Sequence, residues 1–278
     1  MKTITQPILF VGGGNMAYAI ISGASQAGML DPQRVGVIEP SLDRHSLYQH
    51  AFTDAQGGME WLGSQGTGGV IVLAVKPQML DLATSPLSPL LDGLGSEPMV
   101  MSILAGTRIE VIDRAFEGHA RVLRVMPNTP SQIGLGMSAI AAGPRSTDLD
   151  IELAEGLFGS VGKSVTISED LMDAFTAIAG SGPAYTFYLA EAMMEAATQL
   201  GFDRQQSQTI VRQTVYGSAA LLDRSAQMPR ELREQVTSKN GTTHAATRTL
   251  DESGVMDAIV RAIHSARHRG AELGKAEN

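Results

Sequence analysis

Five short apolar runs near the start of the chain constrain its fold more than any other feature. They cover residues 8–12, 34–38, 70–75, 99–104 and 122–126, and they stop at glycines, at Ala105-Gly106, at a proline or at a charged residue followed by proline. Helical stretches separate them. Near-continuous apolar strands alternating with helices predict a parallel sheet covered on both faces. Right-handed crossovers then give an α/β, Rossmann-like, doubly wound domain, expected over residues 1–166. A further strand is expected over 137–142. The glycine-rich stretch 51–69 carries no strand that periodicity can place.

Past about residue 168 the strand-like runs stop. Tyr185, Leu189, Ala192, Ala196 and Leu200 step at helical spacing, as do Val255, Ile259, Ala262 and Ala266. Asp203 with Gln206 reads as a capping box opening a helix. Residues 167–278 are therefore expected to form an all-helical domain, whose continuous apolar stripes suit a two-fold dimer interface. A net charge of −8 argues against broad attraction to nucleic acid or an anionic membrane. The chain has no cysteine, which excludes disulfides, thiolate nucleophiles and cysteine metal sites. No metal site is expected. With no apolar run of about 18 residues and no signal-like N-terminus, a cytoplasmic location is expected.

The first apolar run leads into Val11, Gly12, Gly13, Gly14, Asn15, Met16 and Ala17. In this Gly-x-Gly-x-x-Ala pattern, glycine lets the backbone approach a diphosphate, and the helix that follows offers free N–H groups. Glu39 ends the second run, about 20 residues on, where a carboxylate can accept from a ribose 2′-hydroxyl and repel a 2′-phosphate. That favours NADH, with Arg44 placed to soften the repulsion. Other strand-end loops hold Ala74, Val75, Lys76 and Pro77, then Ala105 and Gly106, then residues 126–130. Ligands of open α/β sheets bind beyond such carboxyl ends. Lys76 reads as a catalytic cation, as a cofactor contact through its backbone, or as a surface lysine.

A second candidate site comprises Gly180, Ser181, Gly182, Pro183, Ala184 and Tyr185, together with residues 238–243. In the latter, small residues run into a helix expected near Thr242, so several N–H groups can converge on a carboxylate. A simple helix cap is the plainer reading of that pattern.

These strings, with Leu-Ala-Val-Lys-Pro at 73–77 and Met-Pro-Asn-Thr-Pro at 126–130, occur in the same order as the motifs of pyrroline-5-carboxylate reductases, which the chain resembles over nearly its whole length. It departs at Lys239 and Asn240, where that family commonly has Pro-Gly, at Gln235, and at Glu39. Asn tolerates the left-handed conformation better than most residues, so the loop shape is expected to survive. The resemblance implies reduction of Δ1-pyrroline-5-carboxylate to L-proline, the last step of proline biosynthesis, by NADPH or NADH. It implies a homodimer, with a higher assembly of dimers left open. It assigns cofactor contacts to Val11, Gly12, Gly13, Gly14, Asn15, Met16, Glu39, Ala74, Val75, Lys76, Pro77, Ile103, Leu104 and Ala105. Substrate contacts fall to Glu169, Ser238, Gly241, Thr242 and Thr243, with Thr243 as the catalytic residue.

An imine can arrive already protonated, so its reduction needs no strong general acid, and the sequence offers no evident His–Asp pair for one. A β-hydroxyacid dehydrogenase would need a lysine early in the helical half, yet residues 171–222 contain none. A non-catalytic nucleotide sensor would leave the second site without a purpose.

Overall fold

The computed structural model describes residues 3–66, 68–94 and 97–276. They form two compact units. The first comprises the described residues up to Ser181 and from Ala266 on; the second is Gly182–Ser265.

The first unit is built on eight strands: β1 (Ile8–Val11), β2 (Val35–Ile38), β3 (His50–Phe52), β4 (Val70–Leu73), β5 (Met99–Ser102), β6 (Arg121–Met126), β7 (Gly136–Ala142) and β8 (Gly162–Thr166). Their order is β3-β2-β1-β4-β5-β6-β7-β8. Every neighbouring pair is parallel except β6 with β7. The first six strands in this order thus share one carboxyl edge, and β7 and β8 end at the opposite one.

Helices α1 (Asn15–Gln26), α2 (Ala55–Ser64), α3 (Leu80–Thr84), α4 (Ile109–Ala115), α5 (Asp148–Gly159) and α6 (Met172–Phe175) belong to this unit. Alternation along the strands feeds two cores. Ile8, Phe10, Val37, Val72, Met101 and Val125 pack with Ile20 and Ala24 of α1 and with Leu157 and Phe158 of α5. On the other face Leu9, Val11, Ile71, Leu73 and Val100 pack with Leu62 of α2, Ile112 of α4 and Met172 of α6. Burial on both faces is the reason these strands read as unbroken apolar runs.

The stretch that periodicity left unplaced holds β3 and α2. Three glycines sit in α2, and two close approaches explain the glycines at this contact: a Cβ on Gly58 would lie 2.5 Å from Ile38, and one on Gly36 of β2 would lie 2.6 Å from the Trp61 ring. Close helix–sheet packing here overrides the low helix propensity of glycine. β8 was not expected from the sequence. The first unit also continues past the expected division at 166/167, because Met172 and Ala177 are buried in it.

In the second unit, α7 (Gly182–Gln199), α8 (Arg204–Arg224), α9 (Pro229–Gln235) and α10 (Thr242–Glu252) follow one another, and α11 (Val255–Ala276) starts in it. The expected capping box opens α8: Gln206 N–H donates to Asp203 (2.8 Å), and Asp203 N–H donates back to Gln206 (3.1 Å). No described helix is long and apolar enough to cross a membrane.

Candidate functional site

The loops beyond β1, β2, β4 and β5 lie side by side because the ladder continues past the strands. Gly12 N–H donates to the Ile38 carbonyl (2.9 Å), Ala74 N–H to that of Val11 (2.8 Å), and Ile103 N–H to that of Leu73 (3.0 Å). Gly12 has φ +103°, and a Cβ there would sit 2.8 Å from the Ala74 carbonyl oxygen. Only glycine fits both the dihedral and the approach.

The N-terminus of α1 faces this edge. Gly14 caps it without a side-chain hydrogen bond, and its first turn holds no acidic residue. A Cβ on Gly14 would meet nothing within 4 Å. The open N–H groups and the helix dipole fit an anionic diphosphate. Leu104 and Val11 are buried in the core, so they offer this edge only their backbone, whereas Lys76 is exposed.

Glu39 turns back onto the glycine loop. One carboxylate oxygen accepts from Gly13 N–H (3.0 Å) and the other from Ser41 N–H (3.0 Å). The Gly13 carbonyl accepts from Arg44 Nε (2.6 Å) and from the Tyr48 hydroxyl (2.8 Å). Arg44 also donates to the Asn15 side chain (3.2 Å). Both sides of the Gly13 peptide are therefore held by side chains from one connection. Burial pushes the Tyr48 hydroxyl pKa up, so it stays protonated and can donate. Glu39 is marked in the sequence by its offset from the glycine loop, whereas Tyr48, in the irregular connection before β3, carries no periodic signal.

In the helical unit the 238–243 turn has the anticipated form. Asn240 adopts φ +62°, and Gly241 N–H donates to the Ser238 carbonyl (3.0 Å). A Cβ on Gly241 would collide with the Ser238 hydroxyl. Helix α10 then begins at Thr242, with no side-chain cap and no acid in its first turn. Its leading N–H groups can thus receive a carboxylate.

Glu169 lies apart from the glycine edge of its own unit. It follows β8, whose carboxyl end lies away from the glycine edge. Its carboxylate accepts from Ile109 N–H at the start of α4 (2.7 Å) and pairs with buried Arg124 of β6 (3.4 Å). Asp173 lies 3.6 Å from the same guanidinium. Among the described residues no group of three or more His, Asp or Glu could hold a metal ion.

A family profile described as pyrroline-5-carboxylate reductase dimerisation matches residues 169–273, and one described as NADP oxidoreductase, coenzyme F420-dependent, matches 7–106. Pyrroline-5-carboxylate reductases from Synechocystis and Methanosarcina acetivorans are each 36% identical to the chain. The first alignment covers 95% of this chain and 97% of the relative, the second 97% and 98%. Among solved structures, a pyrroline-5-carboxylate reductase from Coxiella burnetii superposes with TM-score 0.87 at 33% identity, covering 97% of this chain and 99% of the other. A Plasmodium falciparum pyrroline carboxylate reductase with NADP bound gives 0.84 at 25% identity, covering 98% and 99%.

Proposed function

The chain belongs to the pyrroline-5-carboxylate reductase family, and from that premise we propose which of its residues perform each part of the reaction. The reaction is reduction of Δ1-pyrroline-5-carboxylate to L-proline, the last step in making proline, with NADH or NADPH as reductant. The observation that carries the assignment is the convergence of Gly12, Gly14, Glu39, Ala74 and Ile103 on one carboxyl edge, in front of an open helix N-terminus.

The N–H groups after Gly12 hold the diphosphate. Glu39 accepts from the adenosine ribose. Ala74, Val75, Lys76 and Pro77 with Ile103, Leu104 and Ala105 line the edge beyond β4 and β5. Bound there, the dihydronicotinamide supplies the hydride. The turn of Ser238, Gly241, Thr242 and Thr243 holds the substrate carboxylate at the start of α10. The Thr243 hydroxyl hydrogen-bonds the ring nitrogen and fixes the orientation of the C=N bond. The imine nitrogen is basic enough to arrive protonated, and no described side chain is needed as a strong acid. Orientation rather than proton transfer supplies most of the acceleration. Glu169 tethers β6 to α4 through Arg124 and the Ile109 N–H, and the family resemblance also gives it a substrate contact.

The dimerisation profile over 169–273 makes the working form a homodimer; assembly of dimers into a larger particle belongs to the proposal. So does a cytoplasmic location, since the reaction draws on a soluble nicotinamide pool. The direct test follows dihydronicotinamide absorbance with Δ1-pyrroline-5-carboxylate and each cofactor in turn. Proline formed in step with cofactor consumption supports the assignment; absence of turnover with both cofactors refutes it.

A further inference from the structure

Asn128 stands just beyond the carboxyl end of β6, only 8% exposed, with both ends of its amide engaged. Its Nδ2 donates to the Ala179 carbonyl (2.9 Å), and its Oδ1 accepts from Met137 N–H at the start of β7 (2.9 Å). The Ala179 carbonyl has a particular need for that donor. In a regular helix it would take the N–H of residue 183, but residue 183 is proline and has none. A proline ring at that position also crowds the carbonyl four residues earlier. The chain responds with a π turn over Thr176–Gly180, in which Ser181 N–H reaches back to the Thr176 carbonyl (2.8 Å). Such widened turns occur often at functional sites.

The turn also has a definite place on the sheet. Gly180 packs on Met126, the last residue of β6; a Cβ on it would lie 3.1 Å from the Met126 methyl. Glu39 marks the adenosine end at β2, and the α1 N-terminus marks the diphosphate between β1 and β4. The other half of a dinucleotide then runs over the ends of β4 and β5 toward β6. This is the edge against which Asn128 holds the π turn.

We propose that Asn128 is a positioning residue for hydride transfer: it replaces the N–H that Pro183 lacks and so fixes residues 179–181 as a wall beside the nicotinamide. The inference rests on the cofactor placement proposed above. Asn128→Asp keeps an oxygen for Met137 but presents an acceptor to the Ala179 carbonyl. Asn128→Ala removes both bonds. Pro183→Ala, added to either, restores a backbone N–H four residues after Ala179.

The experiment measures NADH Kd by fluorescence, with kcat and KM for Δ1-pyrroline-5-carboxylate, in the intact homodimer. In Asn128→Asp, NADH Kd should stay within about twofold while kcat falls about tenfold, the scale of one lost hydrogen bond in the reacting geometry. Adding Pro183→Ala to Asn128→Ala should recover most of the kcat lost. A lower Tm with unchanged kcat per folded dimer, or no recovery by Pro183→Ala, overturns the assignment. A wild-type enzyme that fails to turn over would overturn the functional reading instead, so the two failures are distinguishable.

Discussion

Single residues carry the proposed contacts to both ligands. Glu39 already accepts from two backbone N–H groups, which fixes its carboxylate on the glycine loop, where we propose that the ribose binds. Arg44 was expected to ease the repulsion of a 2′-phosphate, yet its guanidinium is directed to the Gly13 carbonyl and the Asn15 side chain. NADH should therefore give at least as high a kcat/KM as NADPH. Glu39→Ser should raise the NADPH/NADH ratio by about tenfold or more, the scale of one unfavourable charge contact; an unchanged ratio would place the ribose elsewhere. Thr243 is the residue proposed to contact the substrate. Thr243→Ala should lower kcat/KM by roughly 10–100-fold, the value of one charge-assisted hydrogen bond, with NADH Kd unaffected. Full activity in that variant would remove the hydroxyl from the mechanism. The proposed roles of Glu39 and Thr243 can be read from the sequence because each sits at a fixed offset from a glycine-marked turn. Asn128 was visible only as part of a stiff loop, since its partner Ala179 lies 51 residues away.

At the scale of elements, α5 shows how a helix is fastened to the sheet. Thr147 and Asp150 form a capping box at its start, and Asp150 also pairs with Arg121 of β6 (2.9 Å). Burial pushes the Asp150 pKa up, but the Arg121 guanidinium and the Thr147 N–H and hydroxyl outweigh it, and the net shift is downward. A folded-state pKa below the unfolded value means stabilisation that is present above about pH 4 and is lost as pH falls through the folded value. Asp150→Asn should therefore cost about 1–3 kcal/mol near neutral pH, and the deficit should shrink below pH 4. Urea unfolding of both proteins at pH 7 and pH 3 measures it; an equal deficit at both would show that the charge is not the cause. The same scale explains why residues 51–69 show no legible periodicity. Glycine marks turns most often, but in α2 it admits a strand side chain against the helix, and nothing local distinguishes the two uses.

For the whole molecule, the second unit is informative through what it leaves uncovered. Along α7, α8, α9 and α10 only Ser207 and Val211 are buried. Phe187, Tyr188 and Leu189 of α7 are 64%, 75% and 56% exposed, and Tyr216 of α8 is 62% exposed. One chain thus gives these helices little core, and a partner surface must supply it, in accord with the dimerisation family. Phe187→Asp with Leu189→Asp should convert the dimer to monomer by light scattering and abolish turnover, while an isolated first unit keeps its reason to fold in its two packed faces. A variant that remains dimeric at micromolar concentration would mean that the interface uses another face.

The sequence by itself determined the alternation of strands and helices, the glycine loop with its acid, and the turn before α10, because each is written in neighbours a few residues apart. Tertiary structure alone decided that Glu169 pairs with Arg124, that Tyr48 and Arg44 clamp Gly13, and that Asn128 serves a carbonyl left without a donor by a proline. These contacts join residues distant along the chain, and only the closing of the sheet sets which buried polar groups must find one another.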